Sequence, residues 1–150
     1  MLILTSCSSS NSLVLDAANP IEIEYEFNDA SVPPEYHRSY VINVTETEVH
    51  VTVDSYEDVL ADEKYTLSNT TFDALIETIN EAILVSGRNE PSEPCSGGTS
   101  ENLSINESGK EVYNGFFDNC ADDAPSSMGE VYNVINAVHE LVPNLRELLK

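Results

Sequence analysis

The chain has 150 residues, a length that fits one domain with a single core. Its 27 acidic residues against 6 basic ones give a formal charge of -21, so the electrostatic term that draws proteins to nucleic acid or to anionic lipid surfaces is repulsive here. The acidity is spread over the whole length, which points to a solvated surface outside the cell and leaves a cationic partner open.

At the start of the chain, Leu4-Thr5-Ser6-Cys7 runs into Ser8, Ser9, Ser10, Asn11 and Ser12. This tetrapeptide resembles a bacterial lipobox, and the resemblance implies cleavage before Cys7 and a lipid on its thiol. Residues 1–6 are then the remnant of a lipoprotein signal, and 7–20 a flexible tether ending at Pro20. The implied place is the bacterial cell envelope, periplasmic or surface-exposed, held to the membrane through Cys7. Only Met1-Leu4 precede the small residues, short of the roughly 7–15 apolar residues of a full signal. Either translation starts upstream, or the match is accidental and the apolar end is frayed. No other stretch reaches the roughly 18 apolar residues needed to span a bilayer.

From about residue 21 the pattern is that of one α+β domain, 21–150. Ile21, Ile23, Tyr25 and Phe27 alternate with Glu22, Glu24 and Glu26, a period of two that gives a strand with one apolar and one acidic face. The glutamates can be read as a cation-binding stripe or as the wet face of a sheet. Residues 28–34 form a loop stiffened by Pro33-Pro34. A second strand is expected over 39–45 and a third through Val49, Val51 and Val53, with a hairpin between them. Residues 57–63 read as an acidic loop, and 64–67 as a short further strand.

Phe72, Leu75, Ile76, Ile79, Ala82 and Ile83 fall at helical spacing, with Ser68, Asn69 and Thr70 as candidate N-caps and Gly87 near the expected stop. Residues 86–101 are too rich in turn formers for regular structure. Leu103 and Ile105, a turn at 106–109, then Val112, Tyr113, Phe116 and Phe117 predict a second hairpin. Ser127 and Glu130 make a capping-box pattern ahead of a helix through Val131, Val134, Ile135, Val138, Leu141 and Val142, which Pro143 breaks or kinks before a short restart. The expected fold is an antiparallel sheet of about five strands with two amphipathic helices on one face, in the order strands, helix, hairpin, helix.

Setting Cys7 aside as the lipidated residue leaves Cys95 and Cys120, an even pair. In an oxidising compartment they are expected to form a disulfide; free thiols are the alternative, and zinc is disfavoured because neither belongs to a CxxC pair.

Catalytic motifs are absent: no GxSxG, HExxH, phosphate loop or dinucleotide fingerprint occurs. His37, His50 and His139 are too scattered in sequence to suggest a triad, with His139 at the polar edge of the last helix. Asp118, Asn119, Asp122 and Asp123 offer oxygen ligands to calcium, but their spacing is not that of an EF-hand and a solvated turn explains them as well. No cofactor is implied. Four glycosylation sequons, at Asn43, Asn69, Asn102 and Asn106, matter only in a eukaryotic secretory pathway. The expected contact surface consists of loops 28–37 and 86–101, with Pro33, Pro34, Tyr36, Gly97 and Gly98 as its candidate residues, because rigid proline and exposed aromatics supply contact area at low entropic cost.

Together, the lipobox-like motif and an acidic domain of this size resemble the small envelope lipoproteins of Gram-negative bacteria. More distantly, the order of strands, helix, hairpin and final helix is similar to that of emfourin-type protease inhibitors, a similarity of layout that transfers no inhibitory residue. The expected function is a non-catalytic binding module, protein-binding or inhibitor-like, whose partner is a protein or small ligand of the envelope. The alternative is a calcium- or small-ligand-binding accessory lipoprotein.

Overall fold

The computed structural model describes residues 13–89, 97–119 and 130–150. Strand β1 (Ile21–Asn28) buries Ile21, Ile23 and Tyr25 and leaves Glu22 and Glu24 in water, as its period of two requires. It is flanked by β2 (Ser39–Val44) on one side and β6 (Thr99–Glu107) on the other, both antiparallel. Outward from β2 come β3 (Glu48–Ser55) and β4 (Asp58–Thr66); outward from β6 come β7 (Lys110–Asn119) and the three-residue β5 (Gly87–Asn89). The sheet thus has seven strands in the order β4-β3-β2-β1-β6-β7-β5, antiparallel except for the β5–β7 pair.

Among the described residues three helices accompany the sheet: α1 (Asn69–Glu81), α2 (Val131–Glu140) and the one-turn α3 (Leu145–Leu148). Phe72, Leu75, Ile76 and Ile79 of α1 and Val131, Val134, Ile135 and Val138 of α2 join Ile23, Ile42, Val51, Leu103, Ile105 and Phe117 in one core on one face of the sheet. The opposite face carries Glu24, Asn43, His50, Asn102, Asn114 and other polar side chains. The α+β class is as expected, but the described residues form seven strands and three helices, where about five and two were expected.

Each difference has a local cause. The acidic stretch expected to be a loop forms most of β4, because the backbone of β3 supplies its hydrogen-bond ladder and the charged side chains Asp58, Asp62 and Glu63 project into water. Such charges are how edge strands avoid pairing with other chains. Strand β5 is too short to show any period. Ser68 is the N-cap of α1, its Oγ accepting from Thr71 N at 3.2 Å, while the helix ends at Glu81, well before Gly87. The turn of the second hairpin narrows to Ser108-Gly109, both with positive φ (52° and 75°), the geometry of a type I′ turn. Ser127 lies outside the described residues, and Glu130 accepts from Ile83 N at 3.2 Å, tying the start of α2 to the exit of α1.

The segment 13–20, read from composition as tether, is docked. Leu15 is buried, and its peptide is held on both sides by Asn80, whose Oδ1 accepts from Leu15 N at 2.6 Å and whose amide donates to Leu15 O at 3.0 Å. The disulfide expectation is corrected: no disulfide is present among the described residues, and Cys7, Cys95 and Cys120 all lie outside them. Other interactions hold the strands that lead to those segments. Strand β5 pairs with β7, Arg88 pairs with Asp118 at 2.9 Å, and Asn119 donates to Glu101 at 2.6 Å. No described helix is long and apolar enough to cross a membrane.

Candidate functional site

Strand direction decides which loops meet. Strand β1 ends at Asn28, which pairs with Ser100 near the start of β6, and β2 starts at Ser39, which pairs with Asp54 near the end of β3. Loop 29–38, the β3–β4 turn at Tyr56-Glu57 and the approach to β6 at Gly97-Gly98 therefore share one end of the sheet. The two segments expected to form a contact surface are thereby brought to adjacent strands, although residues 90–96 of the second lie outside the described set.

Loop 29–38 is a built structure. Asp29 caps it from within, accepting from Ala30 N at 2.8 Å and Arg38 N at 2.9 Å, and Pro33 O accepts from Tyr36 N at 2.8 Å. The Arg38 guanidinium clamps three backbone oxygens, those of His37 (2.7 Å), Glu35 (3.2 Å) and Lys150 (3.0 Å), so the segment after α3 braces the loop. From the neighbouring hairpin, Ser55 Oγ donates to Pro34 O at 2.8 Å and Tyr56 Oη to Val32 O at 2.7 Å. His37, which sequence places in a loop, is buried with its ring stacked on that of Tyr56, centroids 4.0 Å apart.

This packing keeps Tyr56 and Glu57 at φ 51° and 74°, left-handed positions that ordinarily favour glycine or asparagine. Held in that frame, Pro33 and Pro34 are exposed, as are Gly97 and Gly98, and Tyr36 is 68% exposed. Tyr56, Val59 and Leu60 of the β3–β4 hairpin add further exposed apolar surface.

Beneath the loops, on the core face, lies a polar cluster that no motif announced. Tyr25 Oη donates to Glu101 Oε2 at 2.7 Å, Asn119 Nδ2 donates to Glu101 Oε1, and Tyr40 Oη lies 3.1 Å from His139 Nε2. The His139 ring meets that of Tyr25 edge-on at 4.8 Å, so this histidine sits inside the cluster instead of at a polar helix edge. Burial raises the Tyr25 hydroxyl far above its ordinary pKa, with Tyr40 and Glu101 acting in the same direction, and raises Tyr40 as well. Burial lowers His139, against an opposing pull from Glu101. Both oxygens of Glu101 are occupied by protein donors. As arranged, the group joins the ends of β1, β2, β6 and β7 to α2 under the loops. The available signal was period two: Glu101 falls in register with Leu103 and Ile105, the buried set of β6.

Of the acidic turn considered for calcium, residues 120–123 lie outside the described set, Asp118 pairs with Arg88 and Asn119 is bound to Glu101. Among the described residues no group of three or more His, Cys, Asp or Glu is placed to hold a metal ion. His50 is paired with Asp62 at 2.6 Å on the open face of the sheet.

No family model and no curated protein matches the chain. Among solved structures, sheep galectin-11 in complex with glycerol is similar at 8% identity with a TM-score of 0.26, an overlap too low to define a shared fold. The alignment covers 69% of this chain and 64% of that one.

Proposed function

We propose that this protein is a non-catalytic binding module that holds a protein partner against the loop end of its sheet, in the manner of an inhibitor or adaptor. The observation that carries the reading is the rigidity of loop 29–38: its backbone is tied by Asp29, Arg38, Ser55 and Tyr56 while Tyr36 stands 68% exposed above it. An aromatic side chain on a pre-ordered backbone loses little conformational entropy on binding, which is how a modest surface becomes an anchor. The charge of -21 favours a partner with a basic surface. The lipobox-like Leu4-Thr5-Ser6-Cys7 supports presentation of the domain from an envelope membrane by lipid on Cys7.

The test is site-specific photocrosslinking in cells of the source organism. A photoreactive residue is placed at Tyr36, at Tyr56, or at Thr71 near the start of α1 as a control. One adduct of common mass from the first two positions, absent from the third and weakened when Pro33 and Pro34 are replaced by alanine, supports the surface. Crosslinking that is equal at all three positions, or absent at Tyr36 and Tyr56, removes it.

A further inference from the structure

We propose that the open face of the sheet carries a second site, a polar groove that binds a small organic polyamine through Glu22 and Glu24. The groove has a volume of about 320 Å³ and is formed by Glu22, Glu24, Asn43, Thr45, Ser104 and Asn106 around the β2-β1-β6 centre of the sheet. Its position follows from register: Glu24 pairs with Asn43 on one side and Ser104 on the other, and Glu22 pairs with Asn106, so all five side chains leave the same face.

The groups in the groove differ from the rest of that face in their partners. Around it, His50 is paired with Asp62, Lys64 with Glu48, Arg88 with Asp118, and Asn102 with Asn114. Within it, the side chains of Glu22, Glu24, Asn43, Ser104 and Asn106 make no hydrogen bond to any described residue. Ser104 is the telling member, because it is only 8% exposed, lies on the floor of the groove, and turns toward it a hydroxyl that bonds to no described residue. A ligand that bonds to this recessed hydroxyl exchanges its contact with water for a direct hydrogen bond.

The chemistry of the ligand follows from the donors and acceptors. Two carboxylates with no basic residue bonded to them call for positive charge, and two carboxamides and two hydroxyls call for several N–H donors. Two carboxylates supply only part of the six to eight oxygen ligands that calcium takes, and among the described residues no third His, Cys, Asp or Glu joins them; their positions on the strand lie about 7 Å apart. Two ammonium groups joined by three or four methylenes span a comparable distance at about 1.5 Å per bond. The groove's volume is that of a small-molecule site. Its floor and walls stand on three central strands, so the geometry is fixed before the ligand arrives.

Calorimetric titration of the whole domain with spermidine, at constant ionic strength near 0.15 M where diffuse attraction is screened beyond about 8 Å, tests the assignment. Expected are saturable binding, amide shifts confined to β1, β2 and β6, and an affinity loss of about tenfold in Glu22→Gln and Glu24→Gln, the scale of one charge-assisted hydrogen bond. Ser104→Ala is expected to weaken binding several-fold without lowering the melting temperature. The double variant Asp73→Asn/Glu77→Gln, which removes two charges from α1 where each groove variant removes one, binds as the parent does. Equal losses in this control and in the groove variants would show diffuse attraction and overturn the site. So would displacement of spermidine by equimolar magnesium, tighter binding of a blocked dilysine peptide, or no saturable binding.

Discussion

Tyr25 and Glu101 meet diagonally across the β1–β6 pair, two residues out of direct register, with the Tyr25 hydroxyl donating to Glu101 Oε2 at 2.7 Å inside the core. The bond lets an acidic side chain occupy a position whose neighbours on the same strand, Leu103 and Ile105, are fully buried. Both Tyr25→Phe and Glu101→Ala leave one polar group of the pair unpartnered, and each is expected to cost about 1–3 kcal/mol in denaturant unfolding. The double variant Tyr25→Phe/Glu101→Ala removes both members of the pair at once and is expected to fall well short of the sum. Strict additivity would show that the bond contributes nothing to the core.

His139 makes the cluster sensitive to acid. Because burial lowers its pKa, the unfolded chain binds the proton more readily than the native protein, so stability is full above the ordinary histidine value of about 6.5 and falls as pH drops from there toward the lowered native value. Protonation also leaves Nε2 able only to donate to Tyr40 Oη, 3.1 Å away. Melting temperature measured between pH 5 and 7 is expected to fall on the acid side in the parent and to fall less in His139→Phe. Parallel profiles would show that His139 is not the source of the acid sensitivity.

The alkaline limit is set by tyrosines. Burial pushes Tyr113 up to about 12 and raises Tyr25 and Tyr40 as well. Their stabilisation is complete below the unfolded value of about 10 and is lost as pH rises through the native values. Tyrosinate absorbance should therefore develop in two stages, the second coinciding with loss of the native circular dichroism. A single stage with structure retained would show that these hydroxyls are accessible.

Gly115 exists to make room for Tyr113. A Cβ at position 115 would collide with the Tyr113 hydroxyl and press on the Phe117 ring, so Gly115→Ala is expected to destabilise by about 1–3 kcal/mol. The Tyr113 hydroxyl itself has no hydrogen-bond partner among the described residues. Tyr113→Phe should then be neutral or stabilising and should relieve much of the alanine cost when the two are combined. A large loss from Tyr113→Phe alone would reveal a bond the structure does not show.

Tyr56 and Glu57 separate strain from contact. Both occupy left-handed backbone positions, which cost a side chain about 1–2 kcal/mol relative to glycine. Glu57→Gly is expected to stabilise the hairpin by about 1 kcal/mol. Tyr56→Gly removes the stack on His37 and the bond to Val32 O, and is expected to destabilise despite the same backbone relief. If both variants stabilise, loop 29–38 does not depend on Tyr56 for its order.

The alternation of Ile21, Ile23 and Tyr25 with glutamates, the helical spacing from Phe72 to Ile79, and the Val131 to Val138 stripe were sufficient to read the class of fold and most of its core, because burial of one face imposes its period on the residues that form it. The acidic β4 and the three-residue β5 escaped that reading, since an edge strand takes its hydrogen bonds from a neighbour and keeps its side chains in water, leaving no apolar period. Pro33, Pro34, Tyr36, Gly97 and Gly98 could be picked out singly by residue type, but only the β2-β1-β6 order brings their loops to one end of the sheet. The same register converts Glu22 and Glu24 from a charged stripe into the walls of a groove floored by Ser104, and Glu101 from a loop residue into the buried partner of Tyr25. Composition and periodicity act along the chain and are legible there, whereas partnership between residues 76 positions apart is settled only by which strands lie side by side.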